Sequence, residues 1–293
     1  MGFKAIYKDK SSLAKFGILF LLIFISLILH NILAFMFIFL FSDNGINLIQ
    51  HQDLVNQVHV NYLKFMQLFN SIGFFVTPML LYAYFTGFDF KFTSIKRQDF
   101  ILVVAIMMLT PPFVSLLLEW NMKIVLPEWV LYFETNSEPI IEAFLKMNNV
   151  WDLLYTLLVI AIVPALGEEL LFRGYIQQKI VKYLKNPHLA ILITAFLFGL
   201  IHLDFQAIIP RFFLGIILGY LFFWSHSLWL PILAHFVNNA QAVVFSYPLF
   251  EVKNGAYSIF SKTKIDPSMA LFSLASVCLL LYILFKNLCV KKD

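Results

Sequence analysis

The chain has 293 residues, of which 61% are hydrophobic and 13% are charged, and its mean hydropathy is +0.83. Soluble globular domains contain about 45–50% apolar and about 25% charged residues, so this composition excludes an ordinary soluble domain and indicates that lipid surrounds most of the chain. The formal net charge of +4 gives no reason to expect nucleic acid as a partner.

Long apolar runs separated by short polar stretches indicate membrane-spanning helices, because a bilayer core about 30 Å thick requires about 20 apolar residues per helix. The alternating pattern of membrane β-strands is absent from the sequence. We therefore predict an all-α, polytopic bundle of about eight transmembrane helices in contact with membrane lipid. The predicted spans are residues 16–41, 61–86, 100–118, 154–182, 188–203, 207–224, 228–248 and 268–286.

Lysine and arginine residues predict the orientation, because cytoplasmic loops carry an excess of both. They occur at the N-terminus, at residues 91–97, at residues 179–185 and at the C-terminus, which are alternate connections between spans. The acidic loop at residues 119–149 is expected on the outer side, although lysines at 253, 262 and 264 oppose the pattern. Both termini are therefore predicted to be cytoplasmic.

Prolines and glycines predict where the spans bend and pack. Pro111 and Pro112 in the third span and Pro164 in the fourth should kink their helices, because proline lacks the backbone N–H and crowds the preceding turn. Gly215 and Gly219 in the sixth span form a small-xxx-small pair, which is typical of close helix packing.

The fourth span contains ionisable residues, which are rare in lipid and are functional candidates by default. Glu169 and Arg173 lie at i, i+4 on a helix, so we expect them to pair. Glu168 projects about 100° away from that pair and is available as a general base or acid. The alternative is that both glutamates belong to a charge network at a helix end.

Two later spans add polar positions. The fifth ends with Phe198 and His202, and the seventh carries His235 and Asn239, which share one helix face. A lone histidine in a span is usually a packing residue. Three spans that each supply polar groups instead favour one intramembrane cavity lined by Glu168 and these side chains.

Three motifs follow one another in this part of the chain. They are EExxxR at Glu168, Glu169 and Arg173, FxxxH at Phe198 and His202, and HxxxN at His235 and Asn239. In this order they resemble the motifs of the CPBP family, the CAAX prenyl protease and bacteriocin-processing group, also called ABI, which includes lysostaphin-resistance protein A-like proteins. The resemblance implies an intramembrane endopeptidase with its catalytic core at residues 150–249. Residues 1–149 and 250–293 would supply the remaining spans and the outer loops.

The resemblance also implies roles for the motif residues. By analogy with the family, Glu168 and His202 would activate water, and His235 and Asn239 would stabilise the oxyanion. The supporting residues would be Glu169, Arg173 and Phe198. The implied substrate is a membrane-associated peptide or protein, which in some members of the family has a lipidated C-terminus.

A catalytic zinc is the alternative, because Glu168, His202 and His235 could provide two histidines and one carboxylate. We predict no cofactor, since these residues come singly from three helices and no HxxxH or HExxH scaffold is present. Asn239 is also a natural oxyanion donor and a poor zinc ligand.

Other functions use the same residue types. The sequence lacks the GxSxG motif and deep paired aspartates, which disfavours serine and aspartyl intramembrane proteases. Transporters also bury carboxylates and histidines, but they often show repeated halves with broken helices, which this sequence lacks. A non-catalytic bacteriocin-immunity protein that keeps the motifs is the remaining alternative.

Overall fold

The computed structural model describes residues 4–42, 53–133, 138–249 and 266–290. Within these ranges the regular elements are helices and strands do not occur, which confirms the all-α prediction. The helices of the described residues are α1 (Ser12–Phe41), α2 (Gln57–Thr86), α3 (Arg97–Leu109), α4 (Pro111–Met122), α5 (Glu128–Phe133), α6 (Glu138–Leu145), α7 (Val150–Leu184), α8 (Pro187–Leu200), α9 (Ile208–Ser225), α10 (Trp229–Phe245) and α11 (Pro267–Phe285).

Among the described residues, five helices are long and apolar enough to cross a membrane. They are α1, α2, α7, the run Phe205–Ser225 that contains α9, and the run Pro267–Cys289 that contains α11. The helices α3 and α4 pass the same test when they are counted as one bent span, which raises the number of candidate spans to six. The chain is therefore a multi-pass membrane protein. The remaining two predicted spans correspond to α8, with 14 residues, and α10, with 17, and the count of eight stays a prediction.

Some of the charged residues that predict the orientation lie outside the described residues. The lysines at 253, 262 and 264, the C-terminal residues 291–293 and residues 134–137 of the acidic loop are among them. The cytoplasmic placement of both termini therefore stays a prediction.

The helices form two compact units, which divide α7 between Leu171 and Phe172. The first unit comprises Met1–Phe90 and Glu138–Leu171. The second comprises Lys91–Ser137 and Phe172–Asp293. Glu168 and Glu169 thus belong to the first unit, and the other motif residues belong to the second.

In the first unit, a buried lysine connects α2 to α7. Lys64 is fully buried, and its Nζ donates a hydrogen bond of 2.8 Å to the Oγ1 atom of Thr156. The same Nζ lies 5.9 Å from the centre of the Phe144 ring. A charged side chain inside a membrane bundle requires such partners, so this contact fixes the first half of α7 against α2.

The second unit packs α3, α9, α10 and α11 around an apolar core. Its buried members are Val103, Ile106, Met107, Ile217, Leu218, Leu221, Leu230, Ala234, Val237, Val277 and Leu284. On α3, α9 and α10 they recur at spacings of three and four residues, and on α11 they are seven residues apart, as expected for an apolar helix face. This core includes residues of α10 and therefore fixes the position of the helix that carries His235 and Asn239.

The predicted break in the third span is confirmed, because α3 and α4 meet at a bend of 42°. Pro111 has no N–H to donate to the carbonyl of Met107, four residues earlier. The Nε2 atom of Gln241 in α10 donates to that carbonyl at 3.0 Å, in addition to a longer bond of 3.4 Å from the N–H of Thr110. The hydroxyl of Ser273 in α11 donates to the carbonyl of Leu109 at the same break. Side chains of neighbouring helices therefore replace the missing backbone donors.

Pro164 lies in a different local structure. A π-helical turn at Leu157–Ile162 precedes it, and α7 continues through it to a length of 35 residues. A π-turn shifts the hydrogen-bonding register of a helix and is one of the identifiable sites of bending. The kink expected at Pro164 stays a prediction.

We expect Gln241→Leu to lower the free energy of unfolding by about 1 kcal/mol, because it removes the donor to the Met107 carbonyl. In a Pro111→Ala background, the restored N–H can bond that carbonyl, and the cost of Gln241→Leu should shrink. A double-mutant cycle of unfolding in denaturing detergent measures this coupling. Equal costs in the two backgrounds would contradict the proposed replacement of donors.

Candidate active site

The glutamate pair follows a close contact between two helices of the first unit. A Cβ atom added to Gly167 would lie 2.6 Å from the Cβ atom of Phe75 in α2, so this position of α7 accepts only glycine without a shift of the helices. Glu168 is 7% exposed and Glu169 is fully buried. The close packing of Gly167 against Phe75 therefore positions the part of α7 that carries both carboxylates.

Directly after the glutamates, α7 changes its helical form. Residues Leu170–Gln177, which include Arg173, form a π-helical segment. Such segments are rare and occur frequently at functional sites. The predicted pairing of Glu169 and Arg173 rests on α-helical spacing, which this segment does not keep, and the pairing stays a prediction.

Arg173 is fully buried in the second unit. Its Nη2 donates to the carbonyl of Gly215 at 3.0 Å, and its guanidinium carbon lies 4.7 Å from the centre of the Phe198 ring. A guanidinium remains charged at any working pH, so burial requires acceptors such as a carbonyl oxygen and an aromatic face. These contacts connect α7, α8 and α9.

The glycine pair of α9 packs closely against α8, as predicted. A Cβ atom on Gly215 would lie 2.9 Å from the Cα atom of Ala195, and one on Gly219 would lie 2.7 Å from Ile191. The carbonyl of Gly219 also accepts a hydrogen bond of 3.0 Å from Gln177 Nε2. Gln177 and Arg173 are four residues apart, as are the two glycines, so this packing repeats along both helices.

The ring of Phe198 contacts both motif histidines of the second unit. The centre of its ring lies 5.5 Å from that of His202 and 5.6 Å from that of His235, with interplanar angles of 87° and 84°. Phe172 packs against the same ring at 5.3 Å. Edge-to-face contacts of this kind are favourable and directional. The structure therefore brings the two predicted histidines together on one aromatic ring.

His202 lies in a turn and not on a helix. The helix α8 ends at Leu200, and Leu203 adopts a φ of 49°, in the left-handed region that residues other than glycine seldom occupy. Arg211 closes the turn, because its Nη2 lies 2.8 Å from the Asp204 carboxylate and its Nη1 donates to the Asp204 carbonyl. The position of the His202 ring therefore depends on this turn.

Asn239 lies one helical turn after the buried His235 on α10, so both project from the same face. The Nδ2 atom of Asn238 donates to the Oδ1 atom of Asn239 at 3.1 Å. Because the oxygen accepts this bond, the other end of the Asn239 amide carries the donor. An amide N–H group is the type of donor that an oxyanion requires.

Glu168 belongs to the first unit and the histidines to the second, so the convergence of the four proposed catalytic residues stays a prediction. Among the described residues, no group of three or more His, Cys, Asp and Glu side chains is arranged to hold a metal ion. The absence of a cofactor stays a prediction, and zinc stays its alternative.

We expect Arg173→Ala to reduce the yield of folded protein and to lower the free energy of unfolding by about 3 kcal/mol, because it removes one charge from a buried polar set. The control is Arg97→Ala, which alters an exposed arginine at the start of α3 and should change stability by less than about 0.5 kcal/mol. Thermal unfolding of both variants in one detergent provides the comparison. An Arg173→Ala protein that folds normally and loses only substrate affinity would identify Arg173 as a substrate contact.

Residues 150–241 match a family model described as Type II CAAX prenyl endopeptidase Rce1-like. The matched range contains Glu168, His202, His235 and Asn239. Comparisons with curated proteins and with solved structures give no match. The chain is therefore similar, over residues 150–241, to the Rce1-like type II CAAX prenyl endopeptidases, which confirms the resemblance to the CAAX protease family that its motifs predicted.

Proposed function

We propose that this protein is an intramembrane endopeptidase that hydrolyses a peptide bond of a membrane-associated substrate by means of a glutamate-activated water. One observation carries the proposal: the segment that matches the protease family places both motif histidines, His202 and His235, against the ring of Phe198. Ionisable and polar side chains inside a membrane bundle are costly, and they typically mark a substrate or proton pathway.

In the proposed mechanism, Glu168 accepts a proton from a water molecule that His202 orients. The water oxygen attacks the carbonyl carbon of the scissile peptide bond and forms a tetrahedral intermediate. His235 and Asn239 donate hydrogen bonds to its oxyanion, and their place on one face of α10 supports this shared role. Collapse of the intermediate breaks the C–N bond, and the leaving amine takes the proton from Glu168.

The supporting residues hold the proposed catalytic side chains in position. Arg173 bonds the Gly215 carbonyl and covers one face of the Phe198 ring, so it holds the ring on which both histidines pack. We propose that Glu169 balances the charge of Arg173, since a buried guanidinium is tolerated only with a counter-charge or several acceptors.

The proposed topology has eight spans, with α8 and α10 as the two that are shorter than a typical span. At about 1.5 Å per residue, the 14 residues of α8 cover about 21 Å, which is less than the bilayer core of about 30 Å. A helix that starts at one interface near Pro187 then ends inside the membrane and leaves the turn with His202 at that depth. We propose that both termini and the start of α8 face the cytoplasm.

The proposed substrate class is a peptide or protein held at the membrane, and a prenylated C-terminus is its specific form. The support is the family match, whose description names CAAX prenyl endopeptidases. A lipid anchor would hold the peptide at the bilayer surface and raise its concentration near the site.

We expect Glu168→Gln to lower kcat by about 10²- to 10⁴-fold, because the amide cannot accept the proton of the attacking water. The control is Glu128→Gln, which alters an exposed glutamate at the start of α5 and should cleave like the parent. The assay follows a farnesylated peptide with a C-terminal CAAX box by mass spectrometry. Full cleavage by Glu168→Gln would reject the glutamate mechanism, and cleavage of the same peptide without its lipid would reject the prenyl requirement.

We expect cleavage to persist after dialysis against a strong chelator, because the proposed general base and oxyanion donors are protein side chains. Metal analysis of the same sample should find less than stoichiometric zinc. The zinc alternative, with Glu168, His202 and His235 as ligands, makes the opposite prediction. Activity that vanishes with the chelator and returns with one equivalent of zinc would establish that alternative and would leave the protease assignment intact.

A further inference from the structure

The backbone N–H and C=O groups of the turn that carries His202 need hydrogen-bond partners. It follows α8, which is shorter than the bilayer core, and it precedes α9, which begins at Ile208. Non-helical backbone at membrane depth is tolerated only where protein groups or a water-filled cavity satisfy its N–H and C=O groups. The partners of this turn therefore determine both its stability and its shape.

Asn121 supplies two of these partners from a different part of the chain. Its Nδ2 donates to the carbonyl of Phe205 at 2.9 Å, and its Oδ1 accepts from the N–H of Ile209 at 2.8 Å. The side chain is 2% exposed. Because both ends of the amide are bonded, one rotamer and one orientation are selected.

The two bonded groups enclose the end of the turn. Phe205 lies three residues after His202, and Ile209 lies in the first turn of α9. Asp204 and Arg211 form a second connection between the same turn and α9. Asn121 itself lies in the last turn of α4, outside the segment 150–241 that matches the protease family.

We propose that Asn121 is a positioning residue for His202: it holds the turn after α8 so that the His202 ring stays against Phe198 and faces the attacking water. This inference rests on the proposed function for its catalytic consequence, but the positioning itself is a structural statement. In this proposal, α4 helps to position a residue of the site, although the family match does not include the pair α3 and α4.

Ser273 provides a matched comparison. Its hydroxyl bonds the carbonyl of Leu109 at the break between α3 and α4, but it lies on α11, which carries none of the proposed catalytic residues. Ser273→Ala therefore removes a buried hydrogen bond to the same helix pair without a contact to the His202 turn. Loss of stability alone should affect Ser273→Ala and the Asn121 variants similarly.

The experiment measures two properties of Asn121→Ala, Asn121→Asp and Ser273→Ala in the full-length protein. The first is the rate at which diethyl pyrocarbonate modifies His202, read by mass spectrometry. The second is kcat and KM for the farnesylated peptide. We expect Asn121→Ala to raise the modification rate severalfold and to lower kcat by at least about tenfold with KM unchanged, because His202 acts on water and not on substrate binding. Ser273→Ala should match the parent in both properties.

Asn121→Asp tests the geometry more finely, because aspartate keeps the acceptor for Ile209 but cannot donate to the Phe205 carbonyl. Its modification rate and kcat should therefore lie between those of the parent and of Asn121→Ala. Parental modification rates in both Asn121 variants, or equal kcat losses in Asn121→Ala and Ser273→Ala, would overturn the positioning role. If the parent protein cleaves nothing, the proposed function fails, and the His202 modification rates still decide whether Asn121 positions that ring.

Discussion

Hydrocarbon offers no hydrogen-bond partner to a polypeptide backbone, so each interruption of a membrane helix must find its partners inside the protein. This constraint explains the polar contacts of the second unit. Gln241 and Ser273 bond the carbonyls that the proline break exposes, and Asn121 bonds the turn between α8 and α9. In each case, a side chain from a neighbouring helix replaces a donor or acceptor that the helix lost. The breaks therefore act as points where helices are joined, and they add specificity to packing that is otherwise apolar.

The same constraint governs the charged side chains. Arg173 is accommodated by the Gly215 carbonyl and the Phe198 ring, and Lys64 by Thr156 and the Phe144 ring. The contact to Gly215 is available because the absence of a Cβ atom lets α9 approach its neighbours closely. The buried Arg173 and the small residue Gly215 thus depend on each other, since a wider helix separation would remove this hydrogen bond.

The sequence was sufficient for the helical class, the break at Pro111 and the glycine contact of α9, because each follows from a local property: hydropathy, a missing N–H or a missing Cβ atom. It did not predict the π-helical segment after Glu169, because hydrogen-bond register is decided by packing along the whole helix. Asn121 was missed because the predicted span ended at residue 118. A lone amide at the edge of an apolar run was its only signal.

The proposed catalytic groups occur in two kinds of backbone. His202 lies in a turn, and Glu168 lies in the last α-helical turn of α7 before its π-helical segment, whereas His235 and Asn239 lie within the regular helix α10. Oxyanion donors stabilise a transition state only if their geometry is set before the reaction, and a packed helix provides that rigidity. The groups that activate water need access to water instead, and irregular backbone at membrane depth occurs where it is covered by protein or lines a wet cavity. The turn that carries His202 and the regular helix α10 therefore suit the proposed roles, in which His202 orients water and His235 and Asn239 stabilise the oxyanion.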